Sequence, residues 1–327
     1  MDRFEWIATA AFGLEGVVAR ELARLGLDAK AENGGARFFG TFEDAFRANL
    51  HARCADRILL VMGRFEARSF EELFEGVRAL PWEDFIGERT RFPVNGKCAR
   101  SQLMSVRDCQ SITKKAIVER LRGRYRTDWF VEDAETVSID VALHGNIAQL
   151  TLDASGTALN RRGYRTWNGE APLRETLAAA LVTLSPWRPG MPLHDPMCGT
   201  GTLMIEAAMR MAHRAPGLTR EFAIESWRNM PTEAFGDIRE QARAEFDPSR
   251  IEGISGSDID PEAVELANRH LKQAGLAGRV RFETADMRDC RRAEPQGVFL
   301  CNPPYGERLS DRKACETLYR DMGQMLR

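Results

Sequence analysis

The spacing of hydrophobic and polar positions changes at about residue 170. Before that point, short apolar runs alternate with segments in which apolar residues recur every three or four positions. Strands are predicted at residues 4–10 and 36–40. Helices are predicted at residues 14–25, 41–53, 69–80 and 105–122. Gly145-Asn146 separates two further strand-like runs in the manner of a hairpin turn. The first half is therefore predicted to be α+β.

Beyond residue 170 the pattern becomes a series of strand-turn-helix units. A helix rich in Ala and Leu comes first, and four short apolar strands then follow. This alternation is typical of a parallel, doubly wound α/β sheet, in which ligands bind at the carboxyl ends of the strands. A polar residue stands at the end of each strand: Asp195, Asp258, Asp286 and Asn302. We predict that these four residues lie along one ligand-binding edge.

Charge is balanced overall but uneven along the chain. The 327 residues include 46 Lys and Arg and 48 Asp and Glu, which gives a formal net charge of -2. Residues 89–126, the basic segment, hold eleven basic residues and two acids, a local net of +9. A phosphate-binding surface needs such an excess of one sign, although a charge run is also typical of a solvated face. The candidate RNA-binding residues in this segment are Lys97, Arg100, Lys114, Lys115 and Arg122.

A second basic patch, "NRRGYRTWNG" at residues 160–169, mixes arginines with aromatic residues. Tyr164 and Trp167 are suited to stack on bases, and the arginines are suited to contact phosphates. A linker with a buried aromatic anchor explains the same pattern equally well. The candidate RNA-binding residues in this patch are Arg161, Arg162 and Arg165.

The seven cysteines are scattered, with no Cys-x-x-Cys pair and no Cys/His cluster. This distribution disfavours a structural zinc and a disulfide framework, so we expect reduced thiols and no metal. The N-terminus lacks the basic start and long apolar run of a signal peptide, and no stretch reaches transmembrane length. We therefore expect a cytoplasmic protein.

The segment "DPMCGTG", at residues 195–201, joins the first strand of the second half to a helix. Gly199 and Gly201 permit a sharp turn and a close approach of the backbone to a ligand. A phosphate-binding P-loop would need a lysine here, and a dinucleotide fingerprint would need a small residue in place of Met204. A nucleoside ligand without a pyrophosphate fits better, with Asp258 accepting hydrogen bonds from ribose hydroxyls. We predict S-adenosylmethionine, although each strand-end aspartate taken singly also suits a helix N-cap.

The tetrapeptide "NPPY" follows the fourth strand, beside the expected position of the cofactor's methyl group. An exocyclic amine conjugated to a base ring is a poor nucleophile, so an enzyme must fix its direction toward the methyl carbon. The Asn302 side chain and the Pro303 carbonyl are suited to accept the two N–H groups, while a rigid turn keeps them in place. The predicted catalytic residues are Asn302, Pro303, Pro304 and Tyr305, the last of which would stack on the base.

These motifs resemble the THUMP-domain-containing RNA guanine-N2 methyltransferases, in particular the bacterial 23S rRNA branch. The similar segments are "HDPMCGTGTLMIEAA", "GSDIDPEAVELANRHLKQAG", "NPPYGERL", "SQLMSVRDCQSITKKAIVERL" and "LDASGTALNRRGYR", which together extend over nearly the whole chain. The resemblance implies a class I, Rossmann-like methyltransferase domain preceded by an α+β ferredoxin-like and THUMP RNA-binding region.

The resemblance also implies boundaries and residue roles. The expected parts are a ferredoxin-like subdomain at 1–45, a THUMP domain at 46–155, a linker with a leading helix at 156–190 and the methyltransferase domain at 191–327. Some twenty residues follow "NPPYGERL", so the last domain is expected to be incomplete. Asp258 would contact the ribose and Asp286 the adenine amine. The other candidate cofactor-binding residues are Asp195, Met197, Cys198, Gly199 and Gly201.

The expected activity is methylation of the exocyclic N2 amine of a guanosine in 23S rRNA. tRNA is an open alternative substrate. "NPPY" also suits adenine in DNA or a glutamine amide, because each presents a planar NH2 group, but the RNA-binding half argues against both. A non-catalytic RNA-binding or assembly protein is a further alternative, which the strand-end acids and "NPPY" disfavour.

Overall fold

The computed structural model describes residues 2–165, 173–290, 296–304 and 309–325. It divides into two compact units. Unit 1 comprises residues 1–159 and 221–239, and unit 2 comprises residues 160–220 and 240–327. The segment 221–239 therefore belongs to unit 1, although it is inserted within the sequence of unit 2.

Unit 1 is α+β, as predicted. Its strands are β1 (Phe4–Thr9), β2 (Ala29–Glu32), β3 (Gly35–Gly40), β4 (Arg57–Glu66), β5 (Val94–Ala99), β6 (Ile139–His144) and β7 (Ile147–Asp153). Its helices are α1 (Glu15–Arg24), α2 (Phe42–His51), α3 (Phe70–Arg78) and α4 (Val106–Tyr125). The four helices, β1, β3 and the β6–β7 hairpin correspond to predicted elements. Gly145 and Asn146 both take positive φ values in the hairpin turn.

One seven-stranded sheet runs through unit 1 in the order β2-β3-β1-β4-β7-β6-β5. β5 and β6 are parallel, and every other neighbouring pair is antiparallel. β4 pairs with β1 on one side, where Trp6 lies opposite Leu60, and with β7 on the other side. Trp6, Leu60 and Phe38 are buried in the core. The sheet is therefore continuous from the first strand of the chain to the last strand of unit 1.

Local signals define the helices of unit 1. The Thr41 hydroxyl accepts from the Asp44 N–H while the Asp44 carboxylate accepts from the Thr41 N–H, which forms a capping box at the start of α2. The Ser105 hydroxyl accepts from the Asp108 N–H at the start of α4. Phe46 of α2 stacks on Phe235 with ring centroids 4.4 Å apart, which attaches the inserted segment to this unit.

Unit 2 holds a four-stranded parallel sheet with helices, as predicted for the second half. Its first elements are α5 (Glu175–Leu184), β8 (Leu193–Asp195) and α6 (Thr202–Met211), and α7 (Thr232–Glu245) contains the boundary between the two units. They are followed by β9 (Ile254–Asp258), α8 (Pro261–Gln273), β10 (Arg281–Thr284), β11 (Val298–Phe299) and α9 (Leu309–Met325). The strand order is β10-β9-β8-β11, so β8 and β9 occupy the centre of the sheet.

Helix α6 is buried along nearly its whole length, and Arg210 is its one residue that is not buried. Met204, Ile205 and Met209 belong to a core cluster that also contains residues of α5, α8 and β9. A helix that is buried on almost every side is typical of the interior of a domain. Across the described part of the chain, none of the helices has the length and apolar character needed to span a membrane.

Candidate active site

The glycine loop at residues 196–201 joins β8 to α6. Gly199 and Gly201 have φ values of +50° and +80°, a region that favours glycine. A Cβ atom on Gly201 would lie 2.8 Å from the Phe282 ring and 3.0 Å from the Ala267 Cβ, so packing also excludes a side chain there. Gly201 is the N-cap of α6 and offers no side chain to accept from the first-turn N–H groups. These N–H groups are therefore available to a ligand.

Asp258, at the end of β9, holds the glycine loop. Its Oδ2 accepts from the Gly199 N–H at 2.8 Å and its Oδ1 accepts from the Asp260 N–H at 3.0 Å. The Cys198 N–H donates to the Ser257 carbonyl at 2.8 Å, a second link between the loop and β9. The loop is thus tied by hydrogen bonds to the neighbouring strand end.

A cavity of about 390 Å³ opens beside the glycine loop. Its volume falls within the range of roughly 300–1,000 Å³ that is usual for small-molecule sites. The loop forms one wall, the start of α8 forms another, and Asn302 contributes to the lining. The lining residues include Asp195, Met197, Cys198, Gly199, Asp260, Glu262 and Asn302. Four predicted cofactor-binding residues and one predicted catalytic residue therefore meet at one cavity.

Asp195 is the most deeply buried acid of the site, with 2% of its surface exposed. Its Oδ1 accepts from the Met197 N–H at 3.0 Å. Burial raises the pKa of Asp195 to about 7, the negative charge of Asp258 adds to this rise, and the Met197 hydrogen bond opposes it. The carboxyl group can therefore be either neutral or ionised near neutral pH. Burial also raises the pKa of the Cys198 thiol well above its usual range and that of Cys301 to about 11.

The proline turn comprises Asn302, Pro303 and Pro304, which follow β11. The Tyr319 hydroxyl of α9 donates to the Pro304 carbonyl at 2.8 Å, so α9 holds the far end of this turn. Tyr305, the fourth predicted catalytic residue, lies outside the described residues, as does Trp167.

Two of the predicted cofactor-binding acids do not line this cavity. Asp258 is not among the residues that line the cavity, whereas Asp260, two positions later, is. Asp286 is also absent from the lining, and its carboxylate accepts from the Arg288 Nε at 2.9 Å. Hydrogen bonding from Arg288 lowers the pKa of Asp286 to about 2. The contacts of Asp258 with ribose and of Asp286 with adenine stay predictions.

Asp260 was not singled out as a binding residue from the sequence. Its side chain accepts from the Glu262 N–H, so it caps α8 as well as lining the cavity. The proline at position 261 indicates this cap, because proline is common in the first turn of a helix. Spacing alone does not distinguish which of two neighbouring aspartates reaches a cavity.

The basic segment of unit 1 lines a groove of about 530 Å³ along α4, where Arg107, Lys114 and Lys115 lie. Lys114 is half-buried: its Nζ donates to Glu132 at 2.6 Å and lies 3.4 Å from the centre of the Phe92 ring. Burial lowers the pKa of Lys114. Lys97 and Arg100 are both exposed. Arg122 pairs with Asp128, so two of the five candidate cations carry acidic partners from the segment that follows.

The second basic patch corrects one prediction. The Arg162 side chain is 1% exposed, and its Nε lies 3.4 Å from the Glu206 carboxylate of α6. An RNA phosphate cannot reach a guanidinium in this position, so the prediction of an RNA contact by Arg162 is wrong. Tyr164 is also buried and donates to Glu206 at 3.0 Å. This agrees with the alternative interpretation, a linker with a buried aromatic anchor.

The other two arginines of this patch differ from each other. The Arg165 side chain is 9% exposed and turns inward to Thr202 and Glu175, so it is also poorly placed to meet a phosphate. Arg161 is exposed, and an RNA contact by it stays a prediction.

Three protein-family models match the chain. A model described as "RMKL-like, methyltransferase domain" matches residues 162–327, about half of the chain. The chain belongs to the RMKL-like methyltransferase family. A model of the RlmL ferredoxin-like domain matches residues 5–59 and a THUMP model matches residues 67–153. The predicted order of a ferredoxin-like part, a THUMP domain and a methyltransferase domain is therefore confirmed.

Relatives of this RMKL-like methyltransferase include YpsC of Bacillus subtilis, provisionally named an RNA methyltransferase. The two are 42% identical over 326 residues, which cover 99% of this chain and 85% of YpsC. The ribosomal RNA large subunit methyltransferase K/L of Syntrophotalea carbinolica is 36% identical over 337 residues, which cover 99% of this chain and 47% of that protein. The chain thus spans about half the length of the K/L relative.

Two solved structures have nearly the same fold as this RMKL-like methyltransferase. A Listeria monocytogenes protein, provisionally described as an N6-adenine-specific DNA methylase, is 44% identical with a TM-score of 0.95, covering 99% of this chain and 85% of its own. SMU.472, provisionally described as a methyltransferase and complexed with SAH, is 41% identical with a TM-score of 0.94, covering 99% and 86%. SAH is the demethylated form of S-adenosylmethionine, so the predicted cofactor is confirmed at the level of the family.

Proposed function

We propose that this chain is an S-adenosylmethionine-dependent RNA methyltransferase that acts on the exocyclic N2 amine of a guanosine in 23S rRNA. The observation that carries the proposal is that Asn302 and the glycine loop line the same cavity. The Asn302 side chain, which can accept hydrogen bonds from an amine, is thereby next to a loop that suits a nucleoside ligand. The names of YpsC and of the K/L relative support RNA as the substrate.

The residues of the cavity fit the cofactor. The first turn of α6 offers N–H groups that no side chain caps, which suits the carboxylate of an amino-acid tail. Asp260 and Glu262 line the opposite wall and offer carboxylate oxygens to ribose hydroxyls, with Asp258 directly behind the loop. Asp195 and Met197 would border the tail. When bound, S-adenosylmethionine supplies an electrophilic methyl group on a sulfonium sulfur.

The proline turn would orient the target amine. The Asn302 side-chain oxygen and the Pro303 carbonyl would accept its two N–H groups and direct the nitrogen lone pair into the cavity. Two consecutive prolines restrict backbone rotation, and Tyr319 fixes the Pro304 carbonyl, so the acceptors need little ordering when substrate arrives. Positioning of this kind contributes about 7–11 kcal/mol in favourable systems. The chain needs no strong base, because the nitrogen becomes acidic once it is alkylated.

The basic groove of unit 1 would hold the RNA backbone. Arg107 and Lys115 line it together with Lys114. The target base would have to leave its stack to enter the cavity, which costs roughly a few kcal/mol. Phosphate contacts in the groove and the predicted stacking on Tyr305 would offset that cost. Binding should weaken steeply with salt as counterions are released.

The test is product analysis. The protein is incubated with labelled S-adenosylmethionine and with separated rRNA and tRNA from a strain that lacks it, and the nucleosides are identified by mass spectrometry. We expect label in N2-methylguanosine of 23S rRNA. Label confined to tRNA would make tRNA the substrate instead of rRNA. Label in N6-methyladenosine would make the N6 amine of adenosine, rather than the N2 amine of guanosine, the methylated group.

The proposed amine acceptor has its own test. Asn302→Ala should abolish methyl transfer while RNA affinity stays within a few-fold, because Asn302 acts on the amine rather than on phosphates. Full turnover by this variant would show that Asn302 does not act in methyl transfer.

A further inference from the structure

We propose that Arg165 is a positioning residue for the cofactor cavity, which fixes the first turn of α6 and adds positive potential beside the amino-acid tail of the methyl donor. This inference rests on the proposed function, because it concerns the same cavity. It also gives a role to a residue that the sequence had suggested for RNA binding.

The contacts of Arg165 connect three parts of the cavity's surroundings. Its Nη2 donates to the Thr202 hydroxyl at 2.5 Å and to the Leu173 carbonyl at 3.0 Å. Thr202 and Leu173 both line the cavity. The Arg165 Nε lies 3.7 Å from the Glu175 carboxylate, in the first turn of α5. One guanidinium group therefore fixes two lining residues, Thr202 in α6 and Leu173 in the segment that precedes α5.

The charge of Arg165 stands where a helix usually has an acid. The N-terminus of a helix carries partial positive charge, and negative side chains are normally found there. The first turn of α6 has no acidic residue, its N-cap is a glycine, and Arg165 contacts its first residue, Thr202. Glu175 offsets this positive charge only in part, because its carboxylate lies 3.7 Å from the Arg165 Nε, whereas Nη2 donates to the two cavity-lining residues Thr202 and Leu173. The remaining potential favours an anionic group in the cavity, and the carboxylate of the amino-acid tail is such a group.

Helix α6 contains a matched control. The Arg210 Nη1 donates to the Thr183 hydroxyl at 3.2 Å and thereby joins α6 to α5. Neither Arg210 nor Thr183 is among the residues that line the cavity. The helix thus has two Arg–Thr hydrogen bonds, of which one touches the cavity. If the Arg165–Thr202 bond had only a structural role, removing it and removing the Arg210–Thr183 bond would affect ligand binding equally.

The first experiment measures SAH affinity of the full chain by calorimetry, together with the thermal unfolding midpoint of each variant. Thr202→Val keeps the side-chain shape and removes the acceptor, and we expect about tenfold weaker SAH binding, the scale of one charge-assisted hydrogen bond. Thr202→Ser, which keeps the hydroxyl, should stay within about twofold of wild type, as should Thr183→Val. Equal weakening in Thr183→Val, or an unchanged affinity in Thr202→Val, would overturn the inference.

A double-mutant cycle separates positioning from direct contact. Arg165→Met is made together with Glu175→Gln, so that no buried carboxylate is left without its partner. If Thr202 acts through Arg165, adding Thr202→Val to this background should weaken SAH binding by no more than about twofold further. A further tenfold loss would mean that Thr202 contacts the ligand independently, which would overturn the assignment. A wild-type chain that does not bind SAH would instead contradict the proposed function.

Discussion

Two basic segments that look alike in the sequence have opposite environments. In unit 1, Arg89 and Arg122 keep 69% and 44% of their side chains exposed, and their acidic partners, Asp133 and Asp128, are themselves 44% and 89% exposed. In unit 2, Arg162 and its partner Glu206 are almost fully buried. A local excess of charge therefore identifies cations but does not reveal their exposure. Whether a cation is exposed or buried follows the burial of its acidic partner.

The two environments also differ in energy. An exposed ion pair contributes about 0–1 kcal/mol, because water screens its charges. Removal of one member of a buried pair costs about 3–5 kcal/mol, because the other charge is left in the interior without compensation. Substitutions at the buried positions of the second patch should therefore alter stability, whereas those in the first should alter RNA binding.

The largest expected effect is on the buried pair. Arg162→Ala should lower the free energy of unfolding by about 3–5 kcal/mol, since it leaves the Glu206 carboxylate buried without its cation. Arg161→Ala is the control: it changes the neighbouring, exposed arginine and should alter stability by no more than about 0.5 kcal/mol. Denaturant titration of both variants measures the difference. Equal, small losses would mean that Arg162 is not the buried anchor.

The second effect concerns pH and a buried carboxyl. Burial raises the pKa of Asp195 from 3.8 to about 7, so between these pH values the folded state binds more protons than the unfolded state. The free energy of unfolding should fall as pH rises from about 4 to about 7, by roughly 4 kcal/mol at most. Asp195→Asn should remove this fall and be the more stable protein above pH 7.

For a surface carboxyl, the free energy of unfolding changes with pH in the opposite direction. The Arg89 guanidinium lowers the pKa of Asp133, so the stability that Asp133 contributes is present above its usual pKa of 3.8 and is lost as pH falls. Asp133→Asn should therefore leave the slope of stability against pH unchanged between pH 4 and 7 and remove the loss of stability that Asp133 causes at lower pH. Chemical denaturation across pH 3–8 compares the two variants. A wild-type curve without a fall between pH 4 and 7 would contradict the assignment for Asp195.

The third effect is on RNA binding. Replacement of Lys114, Lys115 and Arg122 by glutamine should weaken affinity roughly 10- to 100-fold at low salt and reduce the slope of log K against log salt by up to about 2.7. Fluorescence anisotropy with labelled rRNA fragments at several salt concentrations measures both.

The control for this triple variant is a set of exposed basic residues of unit 1 outside the basic segment: Arg20, Arg24 and Lys30. The same substitution there should leave the slope nearly unchanged. If both triple variants reduce the slope alike, the groove has no special role, and its residues form an ordinary solvated face.

The smallest expected effect is from the acidic partners on the surface. Asp128→Asn removes the ion pair with Arg122 and should change the free energy of unfolding by less than about 1 kcal/mol. RNA affinity should rise by at most a few-fold, because Arg122 then loses a competing anion. A fall in affinity would show that Asp128 itself contributes to binding.

The sequence predicted the elements with clear periodicity and missed three strands of unit 1. The amphipathic helices α1 to α4 begin at recognisable caps or turns, so their positions agree with the predictions. β4 was missed because its run of apolar residues from 58 to 62 has no alternation, and periodicity alone cannot separate such a run from a buried helix. β2 is a short, largely polar edge strand, and β5 contains a glycine and a lysine. Their strand conformation follows from pairing with neighbours that are distant in sequence.

Much of the candidate site was predictable because its chemistry lies at strand ends. The glycine loop, Asp195 and Asn302 meet at one cavity, as expected for parallel strands. The sequence did not predict which of Asp258 and Asp260 lines the cavity. The answer depends on a tertiary contact, because the Asp258 carboxylate accepts from the Gly199 N–H. The burial of Arg162 depends on Glu206, which is 44 positions away and which no local pattern connects to it.

The continuous sheet of unit 1 has a consequence for truncation. β4 takes backbone hydrogen bonds from β1 as well as from β7, and the pairing with β1 spans residues 57–60. Deleting residues 1–45 would expose a row of unpaired donors and acceptors along β4, and such an open edge recruits other chains. A shortened protein that begins at the THUMP domain should therefore precipitate or self-associate, because the ferredoxin-like part would no longer pair with the β4 edge.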